Sequence, residues 1–112
     1  MIYMVLSSVL AILASAVPMP AQNADLEAGR RVYTRRCASC HGTNGEARPA
    51  TARAYGVKMR HLGAPEVQAL IDEQIRKLLK EGGMKAKPIR SLSDADVRNV
   101  IAYIRTFRRE QN

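Results

Sequence analysis

Five consecutive residues, Cys37-Ala38-Ser39-Cys40-His41, constrain this chain of 112 residues more than any other feature. The spacing Cys-x-x-Cys-His is typical of covalent haem attachment. Two cysteines at this spacing lie on the same side of one helical turn, so both thiols can reach the two vinyl groups along one edge of a porphyrin. The histidine that follows can place a ring nitrogen on an axial position of the iron. The motif therefore predicts one covalent haem c, attached through Cys37 and Cys40, with His41 as an axial ligand.

Two other interpretations of the cysteine pair are a zinc site and a thiol redox pair. A zinc site needs four ligands, and with two cysteines it would have to recruit both His41 and His61 at an unusual spacing. A thioredoxin-type pair is expected beside a βαβ pattern, and no alternating strand-like run flanks this pair. A domain of this size also has a marginal core, which an apolar macrocycle would enlarge. The sequence therefore favours haem.

The first residues have the composition of an export signal. The stretch Ile2–Val17 is apolar and carries no charged side chain, but it is shorter than the roughly 20 residues needed to span a bilayer. Ala14-Ser15-Ala16 provides the small-x-small cleavage pattern, with a second possible cut after Ala21. An uncleaved membrane anchor is the alternative. We predict a secretory signal peptide over residues 1–16, a flexible junction over 17–24 and a haem domain over 25–112.

Export agrees with the haem prediction, because bacterial thioether attachment happens outside the cytoplasm. We therefore expect a periplasmic or exported protein, without stable membrane insertion once the signal is removed. The chain has 18 Lys and Arg against 10 Asp and Glu, a net charge of +8. Two haem propionates would reduce this charge to roughly +6, which suits an acidic partner. Nucleic acid is excluded as a partner, because the chain shows none of the nucleic-acid motifs.

The first helical pattern begins at Asp25 and runs into the haem motif. Its apolar and small residues recur at three- and four-residue steps: Leu26, Gly29, Val32, Tyr33 and Cys37. Glycine inside a helix costs about 1 kcal/mol relative to alanine. Gly29 therefore predicts the close approach of another helix.

Two more helical patterns follow. One covers Ala64–Glu81 and ends at Gly82-Gly83, with an apolar stripe at Val67, Leu70, Ile71, Ile75, Leu78 and Leu79. The other begins at the N-cap Ser93, with Asp96 at the third helical position. Its apolar stripe consists of Val97, Val100, Ile101, Ile104 and Phe107. The stretches between the helices, residues 42–54 and 82–92, are predicted loops.

The sequence offers three side chains for the axial position opposite His41. Met84 lies in a glycine-flanked loop between two predicted helices, where the backbone can fold a thioether over the ring, and it is the favoured ligand. Met59 and His61 precede the second helix and stay as alternatives, together with an open site. The identity of this ligand decides the reduction potential and the function.

Together these features resemble a class I monohaem cytochrome c of the small bacterial, cytochrome c6/c553-like kind, over essentially the whole mature chain. The resemblance rests on the haem motif followed by Gly42, on Met84 in a loop, and on further residues of the first and last helices: Gly29, Tyr33, and Ala102-Tyr103-Ile104. It implies an all-α fold in which three to four helices wrap around one covalent haem. It also implies that the first and last helices cross, that Tyr33 packs near Tyr103, and that Met84 is the distal ligand.

With both axial positions filled, the iron can only exchange single electrons, so we expect an electron-transfer protein and not an enzyme. One haem edge must stay near the surface for an electron to pass, and a ring of basic residues around it would attract an acidic redox partner: Arg35, Arg36, Lys85, Lys87 and Arg90. One alternative is a haem subunit that stays bound to a dehydrogenase or an oxidase. Another is a haem-based ligand sensor, which requires that Met84 is not bound to the iron.

Overall fold

A computed structural model of the chain describes residues 24–84 and 86–108. The predicted signal peptide, and the junction up to residue 23, lie outside these residues. Within the described part, no helix combines the length and the hydropathy needed to cross a bilayer.

The described chain forms six helices and no strand. They are α1 (Leu26–Arg36), α2 (Ala38–His41), α3 (Pro49–Tyr55), α4 (Pro65–Gln68), α5 (Asp72–Glu81) and α6 (Asp94–Arg105). The helices α2 and α4 have four residues each, which is a single turn. The all-α prediction is therefore confirmed, with four longer helices joined by loops and single turns.

The centre of the fold is the crossing of α1 and α6. A Cβ atom at Gly29 would lie 2.1 Å from the backbone oxygen of Asn99, so the two helices touch at their main chains. The Asn99 side chain also accepts a hydrogen bond from the Asp25 N–H group at 3.0 Å. The predicted close approach at Gly29 is confirmed. Leu26, expected on the same face, is instead 50% exposed.

The buried side chains lie where α1, α5 and α6 meet. The buried apolar residues are Val32, Tyr33, Cys37, Ile75, Leu92, Val97, Val100, Ile101 and Ile104. Tyr33 also packs against two rings near the end of the described chain, with centroid distances of 5.5 Å to Tyr103 and 5.1 Å to Phe107. Tilted and edge-to-face arrangements of this kind are favourable for aromatic rings. The predicted packing of Tyr33 near Tyr103 is therefore confirmed.

The helix predicted over Ala64–Glu81 is interrupted at residues 69–71, so the prediction of one continuous helix is wrong there. The Arg105 side chain on α6 donates to the backbone oxygens of Gln68 at 2.9 Å and Leu70 at 2.5 Å. The Ile71 N–H group donates to the Gln74 side chain at 2.9 Å. These side chains replace the backbone hydrogen bonds that a continuous helix would supply to the two oxygens and the Ile71 N–H group. The chain can therefore end α4 and begin α5 without leaving these groups unpaired. Ile71, expected in the apolar stripe, is 63% exposed.

The start of α6 agrees with its prediction. The Ser93 hydroxyl accepts a hydrogen bond from the Asp96 N–H group at 3.0 Å, and the Asp96 carboxylate accepts one from the Ser93 N–H group at 3.1 Å. The predicted loop after the haem motif is wrong in part, since Pro49–Tyr55 is helical. Proline suits the first position of a helix, where its missing N–H group has no partner to lose.

Candidate haem site

The cysteine motif forms a short helical turn at the end of α1. The Cys37 N–H group donates to the Tyr33 oxygen at 2.8 Å, and this bond ends α1. The Cys37 oxygen accepts from the N–H groups of Cys40 at 3.2 Å and His41 at 2.9 Å. Both thiols are free, with Cys37 buried and Cys40 half-buried. The turn therefore brings together the three residues that the sequence assigns to covalent haem.

His41 has the properties of a metal ligand. Burial lowers the pKa of its imidazole, which favours the neutral form that binds metals. Its Nδ1 atom is buried and has no hydrogen-bond partner within the described chain. A buried polar atom without a partner is unfavourable unless a further group satisfies the side chain. Together with the two free thiols, this histidine fits a haem that is held covalently and ligated from one side.

The loop after the motif binds back onto α2 through two residues that our sequence analysis did not single out. The Ala47 N–H group donates to the His41 oxygen at 2.7 Å, and the Arg48 N–H group donates to the Cys40 oxygen at 3.1 Å. The Arg48 Nε–H group donates to the Ala38 oxygen at 3.1 Å. Ala47, which supplies the first of these N–H groups, adopts a positive φ of 67°. No local sequence pattern signals these contacts.

Tyr33 and Glu46 support the same loop. The Tyr33 hydroxyl donates to the Gly42 oxygen at 2.5 Å, and burial raises the pKa of this phenol. The Glu46 carboxylate accepts from the Asn44 N–H group at 2.7 Å. The Glu46 carboxylate occupies the space beside Gly42: a Cβ atom added to Gly42 would lie 2.5 Å from the Glu46 side chain. Hydrogen bonds from backbone N–H groups lower the pKa of Glu46.

Met84 lies at the tip of a tight turn after α5. Gly83 and Ala86 close this turn with two backbone hydrogen bonds, of 3.1 and 2.8 Å. Met84 has a positive φ of 50°, and it is 72% exposed. Its thioether therefore does not fill the protein core.

The two other candidate ligands lie between α3 and α4. Met59 and His61 are half-buried. The His61 Nδ1 atom accepts a hydrogen bond from the Gly63 N–H group at 2.9 Å, which ties the ring to its own loop. Among the described residues, no three His, Cys, Asp or Glu side chains form a group that could hold a metal ion. The zinc interpretation therefore has no structural support.

The helical fold and the attachment turn define a class I monohaem cytochrome c with one covalent haem c. The family model described as cytochrome c oxidase, cbb3-type, subunit III matches residues 24–104, and the chain belongs to this family of c-type cytochrome domains. The predicted class of protein and the predicted cofactor are thus confirmed.

Individual proteins similar to this chain agree with that assignment. Cytochrome c6 of Picosynechococcus sp. is 36% identical over 89 residues, which cover 76% of this chain and 75% of that protein. The solved structure of the KustC0563 c-type cytochrome superposes with a TM-score of 0.63 at 26% identity, covering 72% of this chain and 98% of that one.

A third relative is larger. Thiosulfate dehydrogenase of Stutzerimonas stutzeri is 30% identical over 108 residues, covering 86% of this chain. The chain spans only 32% of the length of that protein. The domain is therefore similar both to a small cytochrome and to part of a longer protein.

Proposed function

We propose that this protein is an exported electron carrier whose haem iron is ligated by His41 and Met84. The exposed thioether at the tip of a closed turn is the observation that carries the proposal. Methionine on a surface turn contributes little to a core, so its position favours a ligand role. When bound, the haem supplies one-electron exchange between ferric and ferrous iron, and thioether ligation favours the reduced state.

The chain's own residues hold and shield the group. Cys37 and Cys40 tether it, and the neutral His41 imidazole offers a nitrogen ligand. The apolar side chains of α1, α5 and α6 exclude water from the interior. In this proposal, the Met84 thioether would be the second protein ligand to the iron.

Two basic segments that are distant in the sequence lie next to each other. The Arg36 guanidinium donates to the Ser91 hydroxyl at 2.9 Å, which brings the end of α1 to the loop that follows Met84. The side chains of Arg35, Arg36, Lys87 and Arg90 are exposed, whereas Lys85 lies outside the described residues. This juxtaposition supports our proposal that an acidic redox partner docks here, with an association rate that falls as salt is added.

Export is supported by the apolar segment over residues 2–17 and by the cleavage pattern that ends it. The chemistry also supports export, because bacterial thioether attachment happens outside the cytoplasm.

The ligand assignment is tested by optical spectra of the matured protein. Ferric haem with methionine ligation has a weak band at the long-wavelength end of the visible spectrum. We expect this band in the wild type and in Met59→Ala, and its loss in Met84→Ala. Loss in Met59→Ala alone would assign the sixth position to Met59 instead of Met84. Ready binding of carbon monoxide by the wild type would exclude a stable methionine ligand and favour the sensor alternative.

The partner proposal is tested by charge reversal. We expect Arg35→Glu and Lys87→Glu to slow reduction by an acidic electron donor at low ionic strength, and to remove most of the salt dependence. Arg53→Glu, an exposed site on α3, is the matched control with the same change in net charge. Equal slowing by all three variants would show a dependence on net charge rather than a docking surface.

A second candidate function is that of a haem subunit within a larger redox enzyme. The similarity to part of thiosulfate dehydrogenase favours this function. The matching family also favours it, because its description names a subunit of cytochrome c oxidase. Size-exclusion chromatography of the protein from its native host decides between the two functions. A stoichiometric complex that survives purification supports a subunit, and elution as a small free cytochrome supports a mobile carrier.

A further inference from the structure

Arg48 makes an unusual set of contacts for an exposed arginine. Its backbone N–H group binds the Cys40 oxygen, and its Nε–H group binds the Ala38 oxygen. The two acceptors lie on the same four-residue helix, α2, which contains one haem-binding cysteine and His41. One residue therefore holds this turn through both its main chain and its side chain.

A helix of four residues cannot satisfy its own carbonyl groups, because each α-helical bond needs a donor four residues further on. In α2 the Ala38 oxygen has its ordinary helical donor in Gly42 N–H, whereas the Cys40 and His41 oxygens obtain donors from the following loop. The Ala38 oxygen accepts from Gly42 N–H at 2.8 Å as well as from Arg48, and the His41 oxygen accepts from Ala47 N–H at 2.7 Å. Residues 47 and 48 thus supply the donors for the Cys40 and His41 oxygens and a second donor for the Ala38 oxygen.

The position of Arg48 is reached through a strained residue. Ala47 adopts φ of 67°, a left-handed conformation that is unfavourable for alanine because its Cβ atom lies too close to a carbonyl oxygen. Strain of this kind persists only where surrounding contacts fix it, and it is concentrated at functional sites. Here the contacts that fix it are the ones made to the haem-attachment turn.

We propose that Arg48 is a positioning residue for the axial ligand His41, acting through the carbonyl groups of α2. The plane of the imidazole depends on the backbone that carries it, and this backbone is held at Ala38 by the guanidinium. The inference rests on covalent haem and on His41 as a ligand, but not on the identity of the sixth ligand.

The test uses proton NMR of the ferric holoprotein with cyanide bound. Cyanide occupies the sixth position whichever residue held it, so the pattern of the four shifted haem methyl resonances reports the orientation of the His41 ring. We expect Arg48→Ala and Arg48→Met to change the order or the spread of these resonances, and Arg48→Lys to restore them by donating to the Ala38 oxygen. Arg53→Met on α3 is the matched control and should match the wild type.

The variants also separate positioning from stability. Arg48→Met keeps most of the aliphatic side chain and loses only the hydrogen-bond donors. If Arg48→Ala does not accumulate as holoprotein, the haem methyl resonances of Arg48→Met are compared with those of the wild type instead. An unchanged methyl pattern in Arg48→Met, with or without a lower melting temperature, would overturn the proposal and leave Arg48 a purely structural role. The identity of the sixth ligand is read separately, from the cyanide-free spectrum of the wild type.

Discussion

A methyl group on Gly29 would lie 2.1 Å from the backbone oxygen of Asn99. No side chain can move aside to relieve this contact, because the atom it meets belongs to the main chain of α6. The crossing of α1 and α6 therefore depends on the absence of a side chain at one position.

We expect Gly29→Ala to lower the free energy of unfolding by about 3 kcal/mol, at the upper end of overpacking effects, because the helices must separate. Guanidinium unfolding of the holoprotein measures the change. Gly56→Ala is the control: it has φ of 61° and no neighbouring atom within 4 Å of an added Cβ, so only the left-handed conformation is penalised. That penalty is about 1 kcal/mol. Equal losses in both variants would refute the close packing.

We expect Tyr33→Phe to destabilise the protein by about 1–2 kcal/mol, because the Gly42 carbonyl loses the donor that now lies at 2.5 Å. The ring packing with Tyr103 and Phe107 is kept in this variant, so the loss isolates the hydrogen bond. Thermal unfolding of the holoprotein measures it. Tyr55→Phe changes an exposed ring at the end of α3 and should alter stability by less than about 0.5 kcal/mol. If Tyr33→Phe is equally neutral, the hydroxyl contributes nothing to the loop.

We expect Ala47→Gly to stabilise the protein by about 0.5–1 kcal/mol, because glycine adopts positive φ without the clash of a Cβ atom. The comparison variant, Ala52→Gly, lies in the middle of α3 and should lose about 0.5–1 kcal/mol, since glycine weakens a helix interior. Denaturant unfolding of the two proteins should therefore give changes of opposite sign. A loss in both would mean that residue 47 does not hold the left-handed conformation.

The Glu46 carboxylate should contribute to the acid sensitivity of the protein. Its pKa is lowered in the folded state by backbone N–H hydrogen bonds, so the folded protein binds this proton more weakly than the unfolded chain. The resulting stability is present above the ordinary carboxyl pKa and is lost as the pH falls through the lowered value. Melting temperatures recorded from neutral pH into this acid range should fall less steeply for Glu46→Gln than for the wild type. Glu66→Gln, at the exposed start of α4, should show the wild-type slope.

Local patterns predicted much of the fold because their causes are local. The helical patterns leading to Cys37 and following Ser93 correspond to α1 and α6, and the capping of α6 by Ser93 and Asp96 forms as predicted. The interruption between α4 and α5 was not predictable in this way. It depends on Arg105, whose guanidinium binds the Gln68 and Leu70 oxygens from 37 and 35 residues further along the chain.

The same distinction holds for the site. The sequence by itself predicted the covalent chemistry, because the spacing of Cys37, Cys40 and His41 within one turn is typical of haem attachment. Only the tertiary structure decided how that turn is held, through Arg48 and the left-handed Ala47. Only the tertiary structure, too, brought Arg36 to the loop after Met84. The physical reason is that a motif encodes its reactive groups in adjacent residues. The hydrogen bonds that orient those groups come from whichever residues the folded chain brings beside them.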